Sequence, residues 1–535
     1  MIQINDIRIP YRDADIEWKK YAAKICRVRE EDLKSARILK KSLDARKKQD
    51  IVYLMSVAVS MDPKMEKRAL GSGDSRLQLY AHPHAEEIQL GTEPLHGRVV
   101  VVGLGPAGLF GAYMLACYGY RPLVIERGRP VNERVRDVEG FWNRAVLDPE
   151  SNVMFGEGGA GTFSDGKLTS RSKDVRGMEV LRIFKEHGAP EEIEYLAKPH
   201  IGTDKLRGIV SAMRESIERM GGEVHFSCRL DQIVCEDGKL TGIRICRNGK
   251  IETESCGALV LAIGQGARDT YRMLLGAGVS MQPKPFAVGC RIEHPQEMIN
   301  RIQFGNTAAA KQLGAAEYRL TGRSGDRGVY TFCMCPGGKV VASSSGKEQV
   351  VVNGMSDYAR DAENANAAII VQVGPEDFGT DPLSGVIYAE RLERDAFLLG
   401  GGDFRAPASR VDDFLAGRKS GPFGNVLPSY KPGVCPADLS RCLPDYVAGG
   451  IRDGILAFSR QMKGYDLADA VLTAVESRSS SPVRILRDED GESVSVGGIY
   501  PVGEGAGYAG GIVSAAIDGM RAAERIIRRY RPSSI

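Results

Sequence analysis

Gly103, Gly105, Gly108 and Glu126 form a set whose intervals suit a pyrophosphate and a ribose. Gly103 permits a tight turn, Gly105 lets the backbone approach phosphate closely, and Gly108 permits close packing of a helix on a strand. Glu126 is an acid that can accept hydrogen bonds from both hydroxyls of an adenosine ribose. Because this acid would repel a ribose 2′-phosphate, the set predicts a dinucleotide without that phosphate, either FAD or NAD.

The surrounding elements have the order that this site requires. Val99–Val102 is a continuous apolar run, as in a buried strand of a parallel sheet. A helical pattern follows over Pro106–Tyr118 and closes at Gly119, and a second strand is predicted over Pro122–Ile125. The helix N-terminus would offer unpaired N–H groups and its positive dipole end to the pyrophosphate. The candidate ligand residues of this unit are Gly103, Gly105, Pro106, Ala107, Gly108, Glu126 and Arg127.

A second glycine-rich stretch, NVMFGEGGAGTFSDGKLTSR, occupies residues 152–171. Gly156, Gly158 and Gly161 repeat the G-x-G-x-x-G spacing, but no buried strand precedes them and no helical pattern follows. We therefore do not interpret the stretch as a second nucleotide fingerprint. A loop of this composition suits close backbone contact with a flat or phosphorylated ligand. Its candidate ligand residues are Gly159, Gly161, Thr162, Ser164 and Lys167.

Two further buried strands, over residues 259–263 and 496–502, each run into a glycine turn. If they neighbour the first strand in one sheet, the three carboxyl ends converge on a single crevice. One fold with three glycine turns suits a long, buried cofactor, which favours FAD over NAD. A helix from about Gly511 would aim its N-terminus at the same crevice. The candidate residues of these turns are Gly264, Gly503, Glu504, Gly511 and Ile512.

Several strings of the sequence are similar to those of a bacterial group described as uncharacterised FAD-dependent dehydrogenases. They are GEGGAGTFSDGKL (156–168), KPHIGTDKL (198–206), FCMCPGG (332–338), SPVRILR (481–487) and GIYPVGEGAGYAGGI near the C-terminus. More broadly, the chain resembles the two-domain flavoprotein superfamily, which includes glutathione-reductase-like and para-hydroxybenzoate-hydroxylase-like enzymes. The resemblance implies FAD and a redox reaction, and it supplies no substrate. It also implies that Ala262–Ile263–Gly264 is the second flavin turn and that Gly503–Glu504 stands where the superfamily has Gly–Asp at the ribitol.

Cys333 and Cys335 invite a redox interpretation, because two residues separated by one on a strand point to the same face. Free cysteine is also among the most frequently buried residues, and Phe332 and Met334 fit a packed strand. We favour core packing over a catalytic dithiol. No regular ligand spacing supports a zinc site, and we expect no metal.

Two pairs of polar residues each have two possible interpretations, one functional and one structural. Lys167 and Asp165 are interpreted either as neighbours of the flavin N5 or O4 or as a surface ion pair. Arg478 and Arg484 are interpreted either as ligands of an anionic substrate or as members of a polar loop. Two single histidines, His200 and His294, are expected to be structural.

Bulk properties narrow the class of partner. The chain has 535 residues and a net charge of +3 from 72 basic and 69 acidic residues, so nucleic acid is not an expected partner. The first residues lack the build of a signal peptide, and no uncharged apolar run is long enough to span a bilayer. Eleven cysteines without framework spacing fit reduced thiols. We expect a soluble, cytoplasmic protein that does not contact a membrane.

The predicted fold is α/β, with a Rossmann-like FAD-binding domain of glutathione-reductase type. That domain is discontinuous, comprising residues 96–280 and 481–535, and a mixed α+β domain over 281–480 is inserted in it as a substrate or cap domain. A small α+β domain plus linker precedes it over 1–95. The helical patterns of the inserted domain are Val386–Leu399, Val411–Leu415 and Leu467–Glu476.

The N-terminal domain is predicted to be a β-α-β-β unit. Its first strand carries Ile2 and Ile4, then Ile7 and Ile9 after a slip; a helix follows near residues 16–26, and residues 62–97 are predicted to be a linker. The unit contains a basic run that is either an RNA- or partner-binding patch or a solvated face, and the absence of interleaved aromatic residues favours the latter. The run consists of Lys40, Lys41, Arg46, Lys47 and Lys48.

The sequence thus predicts an FAD-dependent oxidoreductase in which a small-molecule substrate exchanges a hydride with flavin N5. The inserted region has no second strand–G-x-G-x-x-G–helix unit, so the electron donor is expected to be a transient NAD(P)H or another protein. Two alternatives are a flavoprotein of tRNA modification, which would use the basic N-terminal run, and a non-enzymatic flavin-binding redox sensor.

Overall fold

The computed structural model describes residues 1–15, 17–81, 87–170, 172–305 and 307–532. The predicted helix start at residue 16 and the end of the glycine-rich stretch at residue 171 lie outside the described residues. The chain begins with a four-stranded antiparallel sheet of order β2-β3-β1-β4. The elements of this unit are β1 (Ile2–Pro10), α1 (Trp18–Cys26), β2 (Ser35–Asp44), β3 (Val52–Ser60), α2 (Pro63–Leu70) and β4 (Leu77–Leu79).

The first strand carries the predicted slip. Its pairing with β3 shifts register between Ile4 and Ile7, and Asp6 at the irregularity has a φ of +53°. The bulge keeps all four isoleucines of β1 in the core of the unit. The prediction of a linker over residues 62–97 was wrong in its first part, because α2 lies there and β4 pairs with β1. Both elements are short and polar on their outer faces, so composition alone resembles that of a linker.

The basic run of this unit is partly neutralised by the fold. Lys41 is only 9% exposed, forms an ion pair with Asp15, and holds its ammonium 4.5 Å from the centroid of the Tyr53 ring. Arg46 forms an ion pair of 2.6 Å with Asp44. Nothing in these contacts favours a nucleic-acid surface.

A seven-stranded sheet carries the three glycine turns. This part of the chain contains, in order, β5 (Arg98–Val102), α3 (Pro106–Cys117), β6 (Leu123–Ile125), α4 (Val131–Arg144), α5 (Arg176–Glu186), α6 (Thr203–Arg219), β7 (Glu223–His225), β8 (Cys228–Glu236), β9 (Lys239–Arg247), β10 (Lys250–Leu261), α7 (Arg268–Gly276) and β11 (Met281–Pro283). Strand β11 lies outside the seven-stranded sheet. Strands β7, β6, β5 and β10 are adjacent and parallel in that order, whereas β8 and β9 pair antiparallel beside the first half of β10.

The alternation of side chains along β5 places a different layer on each face of this sheet. Val99 and Val101 pack in the cluster that contains α3 and α6, whereas Val100 and Val102 pack with β8, β9 and α7. The sequence over Asp204–Met220, which ends in Gly221–Gly222, predicts a helix, and the structure has it as α6, shifted by one residue. The sequence also predicts one strand over Glu223–Arg229; this is wrong as a single strand, because Ser227, with a φ of +49°, separates β7 from β8.

The sequence predicts a meander of short strands after residue 229, with hairpin turns at Asp237–Gly238 and Asn248–Gly249, and both turns are confirmed. Asp237 and Gly238 have φ values of +48° and +73°, and Asn248 and Gly249 have +51° and +77°. Positive φ at both central residues is what a type I′ hairpin turn requires. These two turns join β8 to β9 and β9 to β10.

The inserted segment forms a second seven-stranded sheet, of order β13-β14-β17-β12-β20-β18-β19. Its elements are β12 (Phe286–Pro295), α8 (Gln296–Phe304), α9 (Thr307–Leu313), β13 (Thr321–Ser324), β14 (Arg327–Cys335), β15 (Lys339–Ala342), β16 (Val352–Met355), β17 (Asn364–Val373), α10 (Pro375–Phe378), α11 (Ser384–Leu399), β18 (Ala406–Arg410), α12 (Val411–Leu415), β19 (Val434–Pro436), α13 (Asp445–Gln461) and β20 (Val471–Glu476).

The helix predicted over Leu467–Glu476 was wrong, because residues 471–476 form the strand β20. This strand lies between β12 and β18, and every residue of it is buried. A strand buried on both faces is a continuous apolar run, which periodicity does not distinguish from a buried helix. The helices predicted over Val386–Leu399 and Val411–Leu415 are present as α11 and α12.

The chain then returns to the first large sheet through β21 (Val483–Ile485), β22 (Ile499–Pro501) and α14 (Ile512–Arg529). Strand β22 pairs parallel with β10, on the side opposite to β5, so the parallel order is β7-β6-β5-β10-β22. Helix α14 packs against α3 in the same apolar cluster. The architecture is therefore mixed α/β, and within the described residues no helix is long and apolar enough to cross a membrane.

Candidate functional site

Three glycine turns open on one cavity. Leu259 of β10 lies opposite both Val100 of β5 and Ile499 of β22, so the carboxyl ends of the three strands lie at one edge of the sheet. The cavity lies there, beside the point where the strand order reverses, as ligands do in doubly wound sheets. The predicted site residues that line the cavity are Gly103, Gly105, Pro106, Ala107, Glu126, Arg127, Gly159, Gly161, Ser164, Lys167, Gly264, Gly503, Glu504, Gly511 and Ile512.

Gly103 and Gly108 hold the first turn against its neighbours. Gly103 has a φ of +93°, and a Cβ added to it would lie 2.4 Å from the carbonyl oxygen of Ala262, so the first and second turns touch through backbone. A Cβ on Gly108 would lie 1.8 Å from the carbonyl oxygen of Gly103. Gly108 is absent from the cavity wall; its position instead matches the predicted close packing of helix on strand.

Glu126 is more heavily engaged than the sequence suggests. Its buried carboxylate accepts hydrogen bonds from the backbone N–H groups of Leu104 at 2.8 Å, Gly128 at 2.9 Å and Gly156 at 2.9 Å. These bonds tie the first turn, the end of β6 and the glycine-rich loop to one side chain. A carboxylate offers about four acceptor positions, so this leaves capacity for about one bond to a ribose and not the two that we predicted.

Arg127 also lines the cavity with its charge already paired. Its guanidinium forms ion pairs of 3.0 Å with Glu150 and 2.9 Å with Asp269, and it lies 4.1 Å from the centroid of the Phe155 ring. Arg127 therefore fixes the wall of the cavity and carries no unpaired charge toward a ligand.

The glycine-rich loop covers the first turn. Gly159 has a φ of +62°, and a Cβ on it would lie 2.9 Å from the Cα of Gly105. Thr162 is absent from the cavity wall: its hydroxyl donates to the carbonyl oxygen of Glu157 at 3.4 Å, and its own carbonyl accepts a hydrogen bond from Thr203 at 2.5 Å. These contacts hold the loop on α6, and the role of Thr162 as a direct ligand stays a prediction.

A fully buried arginine that we did not predict organises this loop. Arg134 of α4 donates to the carbonyl oxygens of Asn152 at 2.8 Å, Val153 at 2.9 Å, Gly156 at 3.3 Å and Glu157 at 2.7 Å. Burial lowers the pKa of Arg134 to about 10, so it remains a cation at neutral pH. Its sequence context, on an amphipathic helix rich in charge, gives no sign that it points inward.

Two helix N-termini face the cavity without side-chain caps. Gly105 and Gly511 are the N-cap residues of α3 and α14, and neither helix has an acidic residue in its first turn. Both glycines line the cavity. Uncapped N–H groups at the positive end of a helix dipole favour an anion, so the cavity has two positions for negative charge.

An aspartate of α14 holds the third turn. Asp518 accepts a hydrogen bond from the backbone N–H of Gly503 at 2.7 Å and forms an ion pair of 2.8 Å with Arg487. Arg487 in turn lies 3.7 Å from the centroid of the Tyr508 ring. A single acid in the apolar face of α14 was the sequence signal for this contact.

Glu504 is enclosed at the same turn. It accepts a hydrogen bond from Gln265 at 2.8 Å, and burial raises its pKa to about 7 against the opposing charge of Lys284. A carboxyl group with this pKa changes protonation near neutral pH. Gln265, which also lines the cavity, links the second and third turns.

Lys167 and Asp165 form an ion pair of 3.7 Å inside the cavity wall and not at the surface, because Asp165 is 1% exposed. The Lys167 ammonium also donates to the carbonyl oxygen of Met334, and Arg360 donates to Asp165 at 2.9 Å. The pair thus joins the glycine-rich loop to the inserted sheet.

Arg478 lines the cavity but is internally paired. The fully buried carboxylate of Glu393 accepts hydrogen bonds from Arg478 at 3.2 Å and from Arg268 at 2.7 Å. Arg484 is absent from the cavity wall; its guanidinium lies 5.1 Å from the centroid of the Tyr508 ring. The contacts of Arg478 favour its structural interpretation over the binding of an anionic substrate. The Nε of Arg484 is buried without a hydrogen-bond partner in the part of the chain that the structure describes, so both interpretations of Arg484 stay open.

The two cysteines of β14 have different surroundings. Cys335 is buried in the core, whereas Cys333 lines the cavity with a φ of +42°. The register with β17 shifts between Phe332 and Cys335, so simple alternation does not describe the two side chains. The packing interpretation holds for Cys335 and is wrong for Cys333.

The two singled-out histidines make structural contacts. His200 hydrogen-bonds the carbonyl oxygen of Tyr358 at 3.1 Å, and His294 hydrogen-bonds that of Tyr465 at 2.8 Å. Burial lowers the pKa of His294 to about 4, which keeps it neutral. Within the ranges that the structure describes, no group of three or more His, Cys, Asp or Glu residues is placed to hold a metal ion.

Comparison with known proteins identifies two matching family models. A family described as "FAD-dependent protein, C-terminal domain-like" matches residues 285–479, and a domain of unknown function matches residues 1–60. A protein of Clostridium beijerinckii that is described as uncharacterised is 50% identical over 533 residues, which is 99% of this chain and 99% of that protein.

Solved structures are similar only at low identity. A geranylgeranyl bacteriochlorophyll reductase-like protein of Thermoplasma acidophilum is 14% identical, with a TM-score of 0.34 over 81% of this chain and 78% of that chain. The myxobacterial chondrochloren halogenase, a FAD-dependent halogenase, is 12% identical, with a TM-score of 0.36 over 80% and 73%. Neither likeness bears on a substrate or a reaction.

Proposed function

Because the chain belongs to the family of FAD-dependent proteins whose C-terminal domain is matched at residues 285–479, we propose that it is an FAD-dependent oxidoreductase acting on a small molecule. One observation carries the proposal: the turns after β5, β10 and β22 open on a single cavity whose other wall is the inserted sheet. A substrate would enter between that sheet and the flavin. The substrate itself is not identified by these residues.

Three features of the cavity fit FAD. The first turn and the glycine-rich loop both line the cavity with backbone and lie close together. A Cβ added to Gly105 would lie 3.7 Å from the Cα of Gly159. The N-terminus of α3 is uncapped, as a pyrophosphate site requires. The hydroxyl of Ser343, which lines the cavity from the inserted segment, is buried without a hydrogen-bond partner, and a bound ligand would supply one.

When bound, FAD supplies a ring that exchanges a hydride at N5 with a substrate. The chain's own residues hold and orient the partners. The N-terminus of α14 stabilises negative charge at the third turn, where Gly511 and Ile512 line the cavity. Lys167 would provide a positive charge beside the inserted sheet, and Glu504, hydrogen-bonded to Gln265, would make the ribitol contact that Gly–Asp makes in the superfamily.

We also propose the domain division at residues 96–280 plus 481–535 and 281–480. The continuous second sheet over β12–β20 and the family match over residues 285–479 support it. The strand order β7-β6-β5-β10-β22 supports the glutathione-reductase type of the first domain. For electron supply, a transient NAD(P)H or a protein donor remains our proposal.

The visible spectrum of the purified protein tests the proposal directly. We expect a flavin spectrum, or its appearance after incubation with FAD, and bleaching under anaerobic conditions by NADH, NADPH or a protein donor. Gly105→Val should weaken FAD binding at least about tenfold, because its Cβ points at the Cα of Gly159, 3.7 Å away, and the valine methyl groups would force the glycine-rich loop away from the first turn, where the pyrophosphate is expected. Gly208→Val on the exposed face of α6, where a Cβ meets nothing within 4 Å, is the matched control.

Two outcomes would count against this function. A colourless protein that takes up no FAD would overturn it. A protein that binds FAD but is bleached by no donor, with unchanged behaviour in Gly208→Val, would favour a flavin-binding redox sensor instead.

A further inference from the structure

The bulge in β14 separates two neighbouring thiols by environment. Between Phe332 and Cys335 this strand has one residue more than the facing segment of β17, and Cys333 takes a φ of +42° there. The irregularity turns Cys333 to the cavity while Cys335 stays fully buried behind it. One thiol of the pair is therefore accessible from the cavity, and the other is accessible only through the first.

Charged groups from four segments surround Cys333. Arg291 of β12 is fully buried, donates to the carbonyl oxygen of Cys333 at 2.8 Å, and pairs with Glu476 of β20 at 2.9 Å. Lys167 of the glycine-rich loop bonds the next carbonyl, that of Met334, and pairs with Asp165. The fourth segment is the third glycine turn, whose Glu504 interacts electrostatically with Cys333. Two cations and three carboxyl groups thus lie around Cys333, and Asp165 and Glu476 are themselves paired with cations.

The cations and the second thiol favour the ionised form of Cys333. The Cys335 thiol donates to the carbonyl oxygen of Cys333 at 3.3 Å. Interaction between the two side chains, followed by the charges of Arg291 and Lys167, lowers the pKa of Cys333 to about 5 despite its burial and the opposing charge of Asp165. The same interaction raises the pKa of Cys335. By contrast, burial raises the pKa of the packed thiols Cys256 and Cys442 to about 12. Thiolate character distinguishes reactive from structural cysteines.

We propose that Cys333 and Cys335 are a redox-active dithiol that exchanges two electrons with the flavin of this cavity. This inference rests on the proposed function, because the flavin is the electron acceptor. In the oxidising direction a sulfur–sulfur bond forms, the Cys333 thiolate and the Cys335 thiol together lose two electrons, and FAD takes up two electrons and two protons. One proton comes from the Cys335 thiol and the other from solvent. The reverse direction cleaves the disulfide and restores the thiolate and the thiol.

The two sulfurs have different roles in this dithiol. Cys333 meets any external thiol or disulfide that enters the cavity, because Cys335 is fully buried. Cys335 acts only on Cys333, and its side chain favours the ionised form of Cys333 before the sulfur–sulfur bond forms. The class of substrate that this pair serves is a disulfide or thiol small enough to enter between the two sheets.

Anaerobic reductive titration of the FAD-loaded protein tests this dithiol. After mild oxidation, the wild type should take up four electrons per FAD, two for the flavin and two for the disulfide. Cys333→Ser and Cys335→Ser should each take up two. Cys235→Ser, which removes an exposed thiol on β8, is the matched control and should still take up four.

A second measurement needs neither variants nor FAD. Iodoacetamide at pH 6 should modify Cys333 at least about tenfold faster than Cys235, because a thiolate and not a thiol is the nucleophile. Oxidation with diamide should yield a peptide with a Cys333–Cys335 disulfide by mass spectrometry.

The outcomes separate the two proposals. Normal FAD uptake with two electrons in the wild type would overturn the dithiol while leaving the oxidoreductase intact. Absence of FAD uptake would overturn the oxidoreductase; slow alkylation of Cys333 and no disulfide peptide would then overturn the dithiol as well.

Discussion

The guanidinium of Arg268 meets the carboxylate of Glu393 through two hydrogen bonds, each of 2.7 Å. Arg268 begins α7, directly after the second glycine turn, and Glu393 lies in α11 of the inserted segment. Arg478 approaches the same carboxylate at 3.2 Å. One buried acid therefore joins the two walls of the cavity.

Glu393→Gln should destabilise the protein by about 3 kcal/mol, because two buried arginines lose the carboxylate that they hydrogen-bond, and Glu390, 3.9 Å from Arg268, compensates them only in part. Urea unfolding of both proteins at neutral pH measures the change. Glu348→Gln removes an exposed partner of Arg394 and should change the free energy of unfolding by less than about 1 kcal/mol. Equal effects of the two substitutions would contradict a joining role for Glu393.

Glu393 also predicts the response of the protein to acid. Its two arginines lower its pKa from 4.5 to about 2 against the effect of burial. A carboxyl group whose pKa is lowered on folding stabilises the protein above its unfolded pKa and loses that contribution as pH falls. We expect about 3 kcal/mol to be lost between about pH 4.5 and pH 2. Glu393→Gln should flatten this part of the curve, and an unchanged slope would argue against the predicted pKa.

Glu504 predicts the opposite trend near neutral pH. Burial raises its pKa to about 7, so the folded protein holds a proton that the unfolded chain releases. Stability should then fall as pH rises from about 4.5 through 7, by about 3 kcal/mol in total. Glu504→Gln should match the wild type at pH 4.5 and exceed it in stability at pH 8, measured by urea unfolding. A wild-type advantage at pH 8 would contradict the enclosed environment of this acid.

Arg134→Met should release the glycine-rich loop. Four backbone carbonyls would lose their donor, and we expect a destabilisation of about 3–5 kcal/mol together with weaker FAD binding. Thermal unfolding and flavin fluorescence measure the two effects. Arg136→Met, at an exposed position of the same helix, should leave both within experimental error. Loss of stability without any loss of FAD affinity would restrict Arg134 to a structural role.

Asp518→Asn should weaken FAD binding by about tenfold, because the Gly503 N–H and Arg487 lose a charged acceptor. Titration of the protein with FAD, followed by flavin fluorescence, gives the dissociation constant. Glu524→Gln lies one and a half turns further along α14, where its partner is Arg176 of α5, and provides the control. Equal affinities for wild type and Asp518→Asn would show that the third turn keeps its shape without the aspartate.

The glycine turns of the site could be predicted because each turn directly follows its strand in the sequence. Gly103, Gly105 and Glu126 follow strands whose apolar runs fix their places, and the converging turns at Gly264 and Gly503 follow from sheet topology. Contacts made by side chains from distant segments were not predictable. Arg134 looks like a surface residue of an amphipathic helix, and the two partners of Glu393 lie 125 and 85 residues away along the chain.

Cys333 and β20 show a second kind of limit. The bulge that turns Cys333 to the cavity arises because β14 has one residue more than the facing segment of β17. The alternation of apolar and polar residues along a strand does not reveal such an extra residue. The strand β20 is buried on both faces, so its apolar run fits a helix equally well.

The placement of β22 beside β10 has a consequence for biosynthesis. Since β5 and β22 lie about 400 residues apart in the chain and flank the same strand, a nascent chain on the ribosome can form the first turn long before the third. The pocket closes only after residues 499–512 have emerged from the exit tunnel and β22 has inserted next to β10. Loading of the cofactor into the complete pocket must therefore follow the synthesis of β22, and a chain that stalls before β22 would expose an unfinished sheet edge to chaperones and proteases.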